Sequence, residues 1–404
     1  ADKDKMLLLN YKLNAYIMKV ITGNRVPIKM WLEDIEDSAM AQACDLAMLP
    51  FAFHHVALMP DAHTGLGMPI GGVLATKGVV IPNAVGVDIG CGMCAIQTNI
   101  DIDVFDRREL VSIANDIRRT IPFGFDHHKQ PMPEELMPQG FDIESMPEVR
   151  SLYLSARHQL GTLGGGNHFI ELQKDKDNHL WIMIHSGSRH FGKEIADRYA
   201  NKAKRLCEMF YADTIPGLEF LPIQVQEAKD YWNAMNYCVA FAFANRQLMM
   251  NQICEIIQKR VPDAIFEPMI NIAHNYAAWE HHFNSDVIVH RKGATRARKG
   301  EIGIIPGSMG TCSYIVEGLG NPDSFESCSH GAGRQMGRKA ARFNLDLKEQ
   351  QRIMDSQNIV HFMKQQDQLD EAPGAYKNIK TVMNNQADLV RPLHQLWPIM
   401  VLKG

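Results

Sequence analysis

The 404-residue chain has no apolar run of about 18 residues, the length of a membrane-spanning helix, so no membrane partner is expected. It also lacks an excess of charge of either sign. Its 42 basic and 46 acidic residues give a formal net charge of −4, so any nucleic-acid-binding face has to be local. A compact disulfide framework is missing too: Cys44, Cys91, Cys94, Cys207, Cys238, Cys254, Cys312 and Cys328 are scattered along the chain, which makes a reducing cytoplasm the expected compartment. The polar start, Ala1 to Asn10, shows no small-residue cleavage pattern. Residues 1–17 read as an N-terminal extension or remnant upstream of a start at Met18. There is no fixed-period repeat and no compositional linker. What remains is the composition of a globular protein, 46% apolar and 22% charged. The reading is one compact α+β domain over residues 18–404, with mixed sheets and surrounding helices.

Helices are predicted from Asp37 to Met48, Asp106 to Ile121, Pro147 to Leu160, Gly192 to Met209 and Gln226 to Arg260, then from Gly333 to Phe343 and Leu347 to Gln357. Short strands are predicted at 54–59, 71–81, 94–100, 169–172, 180–184, 266–272, 286–290, 302–305 and 312–316. The proline-rich stretch 123–146 reads as a loop or lid, and 60–67 as a glycine-punctuated loop.

Between two of these strands lies Val87-Asp88-Ile89-Gly90-Cys91-Gly92, an acid and a thiol three residues apart among glycines. Glycine permits positive φ and close backbone approach, so a tight turn is expected. A carboxylate and a thiolate on such a turn make half a metal site, whereas an isolated Cys-Asp pair is more often structural. Three histidines stand where apolar strands run out: His168 after Gly164-Gly165-Gly166-Asn167, His185 before Ser186-Gly187-Ser188-Arg189, and His274 before Asn275-Tyr276. Imidazole, thiolate and carboxylate together are transition-metal ligands, and the thiolate points to a softer ion such as zinc. Cys91 and Cys94 fit a CxxC spacing but lack the helix a redox motif needs. His63 is less decisive, and Asp61 either holds its loop or reaches a phosphate or metal through water. His127-His128 and His281-His282 read as solvated surface.

Arg291, Lys292, Arg296, Arg298 and Lys299 cluster around Gly293, and Pro306-Gly307-Ser308-Met309-Gly310 offers turn N–H groups suited to an anion. Ser329-His330-Gly331-Ala332-Gly333-Arg334 leads into a predicted helix whose N-terminus favours an anion. His330 is then a candidate base, ligand or nucleophile toward phosphorus, since neutral imidazole attacks without prior deprotonation.

Seven motifs, Val87–Gly92, Gly166–Glu171, His185–Arg189, His274–Tyr276, His290–Ala294, Pro306–Gly310 and Ser329–Arg334, together resemble the RtcB family of RNA-splicing and repair ligases from about Val20 to Gly404. The resemblance implies joining of an RNA 3′-phosphate or 2′,3′-cyclic phosphate end to a 5′-hydroxyl end, with GTP as co-substrate and two Mn²⁺ ions in place of zinc. It makes Cys91 the bridging ligand, with Asp88, His168, His185 and His274 completing the sites. His330 becomes the guanylylated nucleophile. Asn167, His168, Glu171, His274, Pro306, Gly307, Ser308, Met309, Ser313, Gly331, Ala332, Gly333, Tyr376 and Lys403 become nucleotide contacts, and Arg189 grips an RNA phosphate. tRNA or rRNA fragments are the implied partners, with an archease-like activator a further one. His190 and Cys94 depart from the family pattern.

Overall fold

A computed structural model describes residues 18–404; the expected extension over 1–17 lies outside the described residues. The strands are β1 (Lys19–Ile21), β2 (Ile28–Met30), β3 (Ala52–His63), β4 (Ile70–Thr76), β5 (Val79–Val80), β6 (Gly92–Asp101), β7 (Phe169–Lys174), β8 (His179–Ser186) and β9 (Leu221–Pro222). They continue with β10 (Ile270–Ala273), β11 (Asn275–His282), β12 (Ser285–Lys292), β13 (Ala294–Arg296), β14 (Ile302–Ile305), β15 (Ser313–Gly318), β16 (Ser327–Ser329) and β17 (Val390–Lys403). A six-stranded sheet runs β1-β2-β3-β4-β12-β11, and a seven-stranded sheet runs β10-β6-β8-β7-β17-β15-β14. All pairs are antiparallel except β2 with β3. The helices are α1 (Asp37–Met48), α2 (Pro82–Val85), α3 (Arg107–Thr120), α4 (Pro147–Gln159), α5 (Arg189–Met209), α6 (Gln226–Gln258), α7 (Arg338–Asn344), α8 (Leu347–Ser356) and α9 (Ile379–Asn385). The expected α+β architecture is what forms, and no helix among the described residues is long and apolar enough to cross a membrane.

Local chemistry accounts for the helix ends. Asp106 and Glu109 close a reciprocal capping box at the start of α3. The apolar faces of α3 and α6 cover one side of the seven-stranded sheet, burying Ile96, Ile170 and Ile182 against Ile113, Met249 and Ile253. Cys94 points into this core and Met93 to the opposite side, as strand alternation requires. No cysteine among the described residues is in a disulfide, and burial pushes the Cys94 thiol up to about 12.

Several predicted boundaries move. The 54–59 strand extends through Asp61 to His63, because a register shift lets His63 pair with Ile70. The helix expected from Gly333 begins at Arg338 instead. Gly333 has φ +72° and packs against the Asp61 backbone, where a Cβ would lie 2.4 Å from the Asp61 carbonyl oxygen, so the chain there is left-handed and cannot open a right-handed helix. The 266–272 strand forms only as β10, which ends at Ala273 in one sheet, and a strand with no predicted counterpart, β11, begins at Asn275 in the other. His274 therefore sits where the chain crosses between sheets. Strands β13, β16 and β17 had no predicted counterpart. Stretch 123–146 has only short 3₁₀ turns, yet Met137 and Met146 bury into the core and pin most of it.

Candidate active site

Four neighbouring strands of the seven-stranded sheet begin or end at one edge, and this gathers the metal-type side chains. β6 starts just after Cys91, β7 starts just after His168, β8 carries His185 near its end, and β10 stops just before His274. The register fixes them: Gly92 pairs with Ser186 and with Ala273, and Phe169 pairs with His185. Cys91 Sγ lies 3.3 Å from His185 Nε2 and 3.5 Å from His168 Nε2, and His168 Nε2 is 3.1 Å from Asp88 Oδ2. The donor atoms of Cys91, His168 and His185 all fall within 4.8 Å of one another. The His274 ring centroid is 5.2 Å from that of His185.

This donor set fits a cation. His185 Nδ1–H donates to the Asn167 carbonyl at 3.1 Å, which leaves its Nε2 lone pair turned inward, and His168 Nδ1 lies 3.1 Å from the Leu163 carbonyl. Arg189 Nη1 lies 3.1 Å from the same His168 nitrogen. Asp88 Oδ1 and His274 Nδ1 are buried with no hydrogen-bond partner, a costly state that a bound ion would relieve. Burial, then neighbouring histidines, hold His185 and His274 well below the ordinary imidazole range, so both are neutral, as ligands must be. Burial raises the Asp88 carboxyl, but the His168 hydrogen bond and the Arg189 charge outweigh it and leave the group at about 2. Burial pushes the Cys91 thiol well above its usual value, so its thiolate needs a metal to form.

The turns carrying these ligands are fastened from beneath by two adjacent residues of α6. Asn245 accepts from the N–H groups of Gly161 (2.7 Å) and Thr162 (3.1 Å), and donates to Ser186 Oγ (3.1 Å) and the Gly187 carbonyl (3.2 Å). Arg246 donates to the carbonyls of Gly90 (3.1 Å) and Ser186 (2.8 Å) and to Asn271 Oδ1 (2.7 Å). Both are fully buried, and Arg246 has no carboxylate partner among the described residues. The prediction of a helix from Gln226 to Arg260 singled out neither residue; the available signal was an amide and a guanidinium inside an apolar helical repeat.

His330 follows β16 and stands beside the metal-type cluster, its ring 4.8 Å from that of His274. Asp61 fixes it. One carboxylate oxygen, Oδ2, accepts from His330 Nδ1 at 2.6 Å and from the N–H groups of His330 (3.0 Å) and Gly331 (3.3 Å). With the proton on Nδ1, the Nε2 lone pair is free. Asp61 was read as a loop holder or a phosphate or metal contact; the extra length of β3 is what delivers it to His330 instead.

A cavity of about 430 Å³ joins the two clusters. Its walls include Asp88, Cys91, Asn167, Glu171, His185, His274, Pro306, Gly307, Ser308, Met309, His330, Gly331, Ala332, Gly333, Tyr376 and Lys403. Ser313 does not line it: its hydroxyl lies behind the wall, accepting from Gly307 N–H and Gln173, each at 3.1 Å. β17 pairs with β7, setting Lys403 opposite Phe169 and Val401 opposite Glu171. Burial raises the Glu171 carboxyl to about 7, against the opposing pull of Lys403 and Gln173. Glu371, which lies in none of the seven motifs, accepts from Tyr376 and pairs with Lys403 (3.3 Å) and Arg334 (3.1 Å).

Four expectations are corrected. The basic cluster is not an open phosphate face: Arg291 is fully buried and bidentate to Glu280 at 2.5 and 3.0 Å, Arg296 pairs with Glu301, and Arg298 pairs with Glu326. Lys292 lines the cavity, its ammonium held by the Leu66 and Asn83 carbonyls, and burial lowers it to about 7. The turn at 306–310 spends its Gly307 and Ser308 N–H groups on Ser313 and Thr311, so they are no free anion nest. No helix N-terminus adjoins His330, since α7 starts later and Arg334 is occupied by Glu371. Of the surface histidines, His281 and His127 are exposed as expected, but His282 is buried against Glu280 at 2.9 Å.

Comparison with known proteins gives the family. The family described as "tRNA-splicing ligase RtcB" matches residues 42–404. The RNA-splicing ligase RtcB of Escherichia coli K12 is 36% identical over 420 residues, covering 98% of this chain and 100% of that protein. The tRNA-splicing ligases RtcB of Nanoarchaeum equitans and Thermococcus kodakarensis are each 30% identical, covering 97% of this chain and 99% and 98% of theirs. The chain therefore belongs to the RtcB family.

Proposed function

We propose that this protein is an RNA ligase that joins a 3′-phosphate or 2′,3′-cyclic phosphate end to a 5′-hydroxyl end, with GTP as co-substrate, in tRNA splicing or RNA repair. The relatives' names, RNA- and tRNA-splicing ligase, support the reaction class. The observation that carries the reading is the Asp61–His330 pair, at 2.6 Å, opening onto the same cavity as Asp88, Cys91, His185 and His274. An imidazole with its proton committed at Nδ1 is a nucleophile at Nε2 without needing a base.

In the first step Nε2 of His330 attacks the α-phosphorus of GTP, an N–P bond forms, and the bond to pyrophosphate breaks. The imidazole becomes cationic, and the Asp61 carboxylate faces the charge as it develops. An RNA 3′-phosphate oxygen then attacks the same phosphorus and the N–P bond breaks, leaving GMP on the RNA end. Finally the 5′-hydroxyl attacks the RNA phosphorus, loses its proton, and GMP departs. A cyclic phosphate is first opened by water. Asp88, Cys91, His168, His185 and His274 would hold two Mn²⁺ ions, which would supply Lewis acidity toward phosphoryl oxygens. Asn167, Glu171, Tyr376, Lys403 and the 306–309 and 331–333 turns enclose the nucleotide. Arg189, whose side chain also borders the outer groove, grips an RNA phosphate. The eight unpaired cysteines suit the cytoplasm.

The test is ligation of RNA fragments with defined ends, with GTP or ATP and with each divalent metal in turn. Joining that requires a 3′-phosphate or cyclic end, a 5′-hydroxyl, GTP and Mn²⁺ is expected; joining of 5′-phosphate to 3′-hydroxyl ends would reject the reading.

A further inference from the structure

Beyond the nucleotide cavity lies a larger groove of about 950 Å³, and the two share Val87, Asp88, Met309, Arg338 and Lys403 in their walls. Its rim carries Phe125, whose side chain is completely exposed at 100%. A phenylalanine with no contact to bury it is an unusual surface residue, and this one is not on a loose tip. Gly124 N–H donates to the Gly164 carbonyl at 3.0 Å, and Phe123 bridges in parallel to Gly164. The segment bearing Phe125 is thus stitched to the glycine turn that presents Asn167 and His168, which sets its backbone at a fixed place relative to the reacting centre.

The charges around the ring are selective. On the far wall Arg338 and Arg342 are answered by Asp370, and Lys403 by Glu371. On the near wall neither Arg189 nor Arg118 is in an ion pair among the described residues, although the Asp88 carboxylate stands near enough to Arg189 for each charge to favour the other. Arg118 is held instead over the Phe362 ring at 5.0 Å from its centroid. Two guanidinium groups outside any ion pair and a bare aromatic face, in a groove leading to a metal-type centre, are the parts of a single-strand nucleic-acid track. Phosphates meet cations, bases stack on π faces, and no base edge is read. Arg189 stands closest to the centre, alongside His168, so the strand whose phosphate is chemically activated is the one the track receives.

We propose that Phe125 is the stacking platform for a base near the 3′ end of the incoming RNA strand, the strand that carries the terminal 3′-phosphate. This rests on the ligase reading above and adds a strand-specific binding residue that lies outside the nucleotide and metal sites. It also gives the start of the 123–146 stretch a defined task while the remainder packs into the core. Because every base has a π face, the platform selects single-stranded ends with little base preference.

The experiment uses full-length protein already charged with GMP and follows transfer to a 3′-phosphate oligonucleotide in a single turnover at increasing RNA concentration. Phe125→Ala is expected to raise the half-saturating RNA concentration at least about tenfold, Phe125→Leu nearly as much, and Phe125→Trp less than about twofold. Adduct formation from GTP stays at the wild-type rate in all three. An oligonucleotide with an abasic sugar near its 3′ end should bind the wild type as weakly as the intact oligonucleotide binds Phe125→Ala, with no further loss when the two are combined. Unchanged RNA saturation in Phe125→Ala, or an effect confined to the 5′-hydroxyl strand in complete ligation, overturns the proposal. If the wild type transfers no GMP at all, the ligase reading fails by itself. Fluorescence anisotropy of the same oligonucleotides on uncharged protein then still decides the role of Phe125, by the same ordering of variants.

Discussion

Replacing Asp61 by asparagine isolates the electrostatic part of the His330 geometry. The side chain keeps its shape, and three donors still need an oxygen at the Oδ2 position: His330 Nδ1, His330 N–H and Gly331 N–H. The amide nitrogen is therefore driven to the Oδ1 position, which is buried and has no partner. Leaving that NH₂ unsatisfied costs ~1–3 kcal/mol of stability. At the imidazole, a charge-assisted hydrogen bond worth ~1.5–3 kcal/mol becomes a neutral one worth ~0.5–1.5 kcal/mol. Attack makes the ring cationic, so the lost charge is felt most in the transition state. The expected outcome is a 10- to 100-fold slower formation of the guanylyl adduct, taking ~1.4 kcal/mol per tenfold change, with a lowered Tm. Incorporation of label from [α-³²P]GTP at saturating nucleotide measures the rate, and thermal unfolding reports the stability loss separately. A rate within about twofold of wild type would refute the claim that Asp61 readies His330.

Cys91→Ala should abolish adduct formation as well as ligation and weaken Mn²⁺ binding in calorimetry, while an intact adduct would remove Cys91 from the centre. Arg246→Met should leave the helical circular dichroism spectrum in place but lower Mn²⁺ affinity at least about tenfold, the typical cost of losing a group that orients metal ligands; wild-type affinity would show that the turns hold themselves. Arg291→Met strands Glu280 as a buried charge and should cost ~3–5 kcal/mol in urea unfolding, far more than a surface pair such as Arg150 with Glu144. Lys292 gives a pH signature. Its folded-state pKa of about 7 lies below the ordinary lysine value of 10.5, so the unfolded chain binds the extra proton between those limits and stability rises with pH across that window. Lys292→Met should flatten that rise, and an unchanged slope would count against a desolvated ammonium.

The parts of this molecule that read well from sequence are those where one residue type has one local consequence. The helix starts predicted at Asp106 and Pro147 fall at the cap of α3 and the first residue of α4, and the glycines around Asp88 and Cys91 marked a turn. The strand-end histidines were legible because apolar runs stop at them. What was hidden depends on pairing between distant strands. β17 carries alternating polar residues at its outer half and becomes a strand through β7 and β15, which is what brings Lys403 to the cavity. The helix expected at Gly333 fails because that glycine lies against the Asp61 backbone, a contact across more than half the chain. The basic run 291–299 looked like a phosphate surface because Glu280, Glu301 and Glu326, its actual partners, converge on it only in the fold.

The most direct measurement is the mass of the intact protein, and of its proteolytic peptides, after incubation with GTP and Mn²⁺. The account predicts one added guanylyl group, acid-labile and alkali-stable as a phosphoramidate should be, located on the peptide containing His330 and missing in His330→Ala. An adduct that persists in that variant, or maps to a lysine such as Lys292 or Lys403, would contradict it.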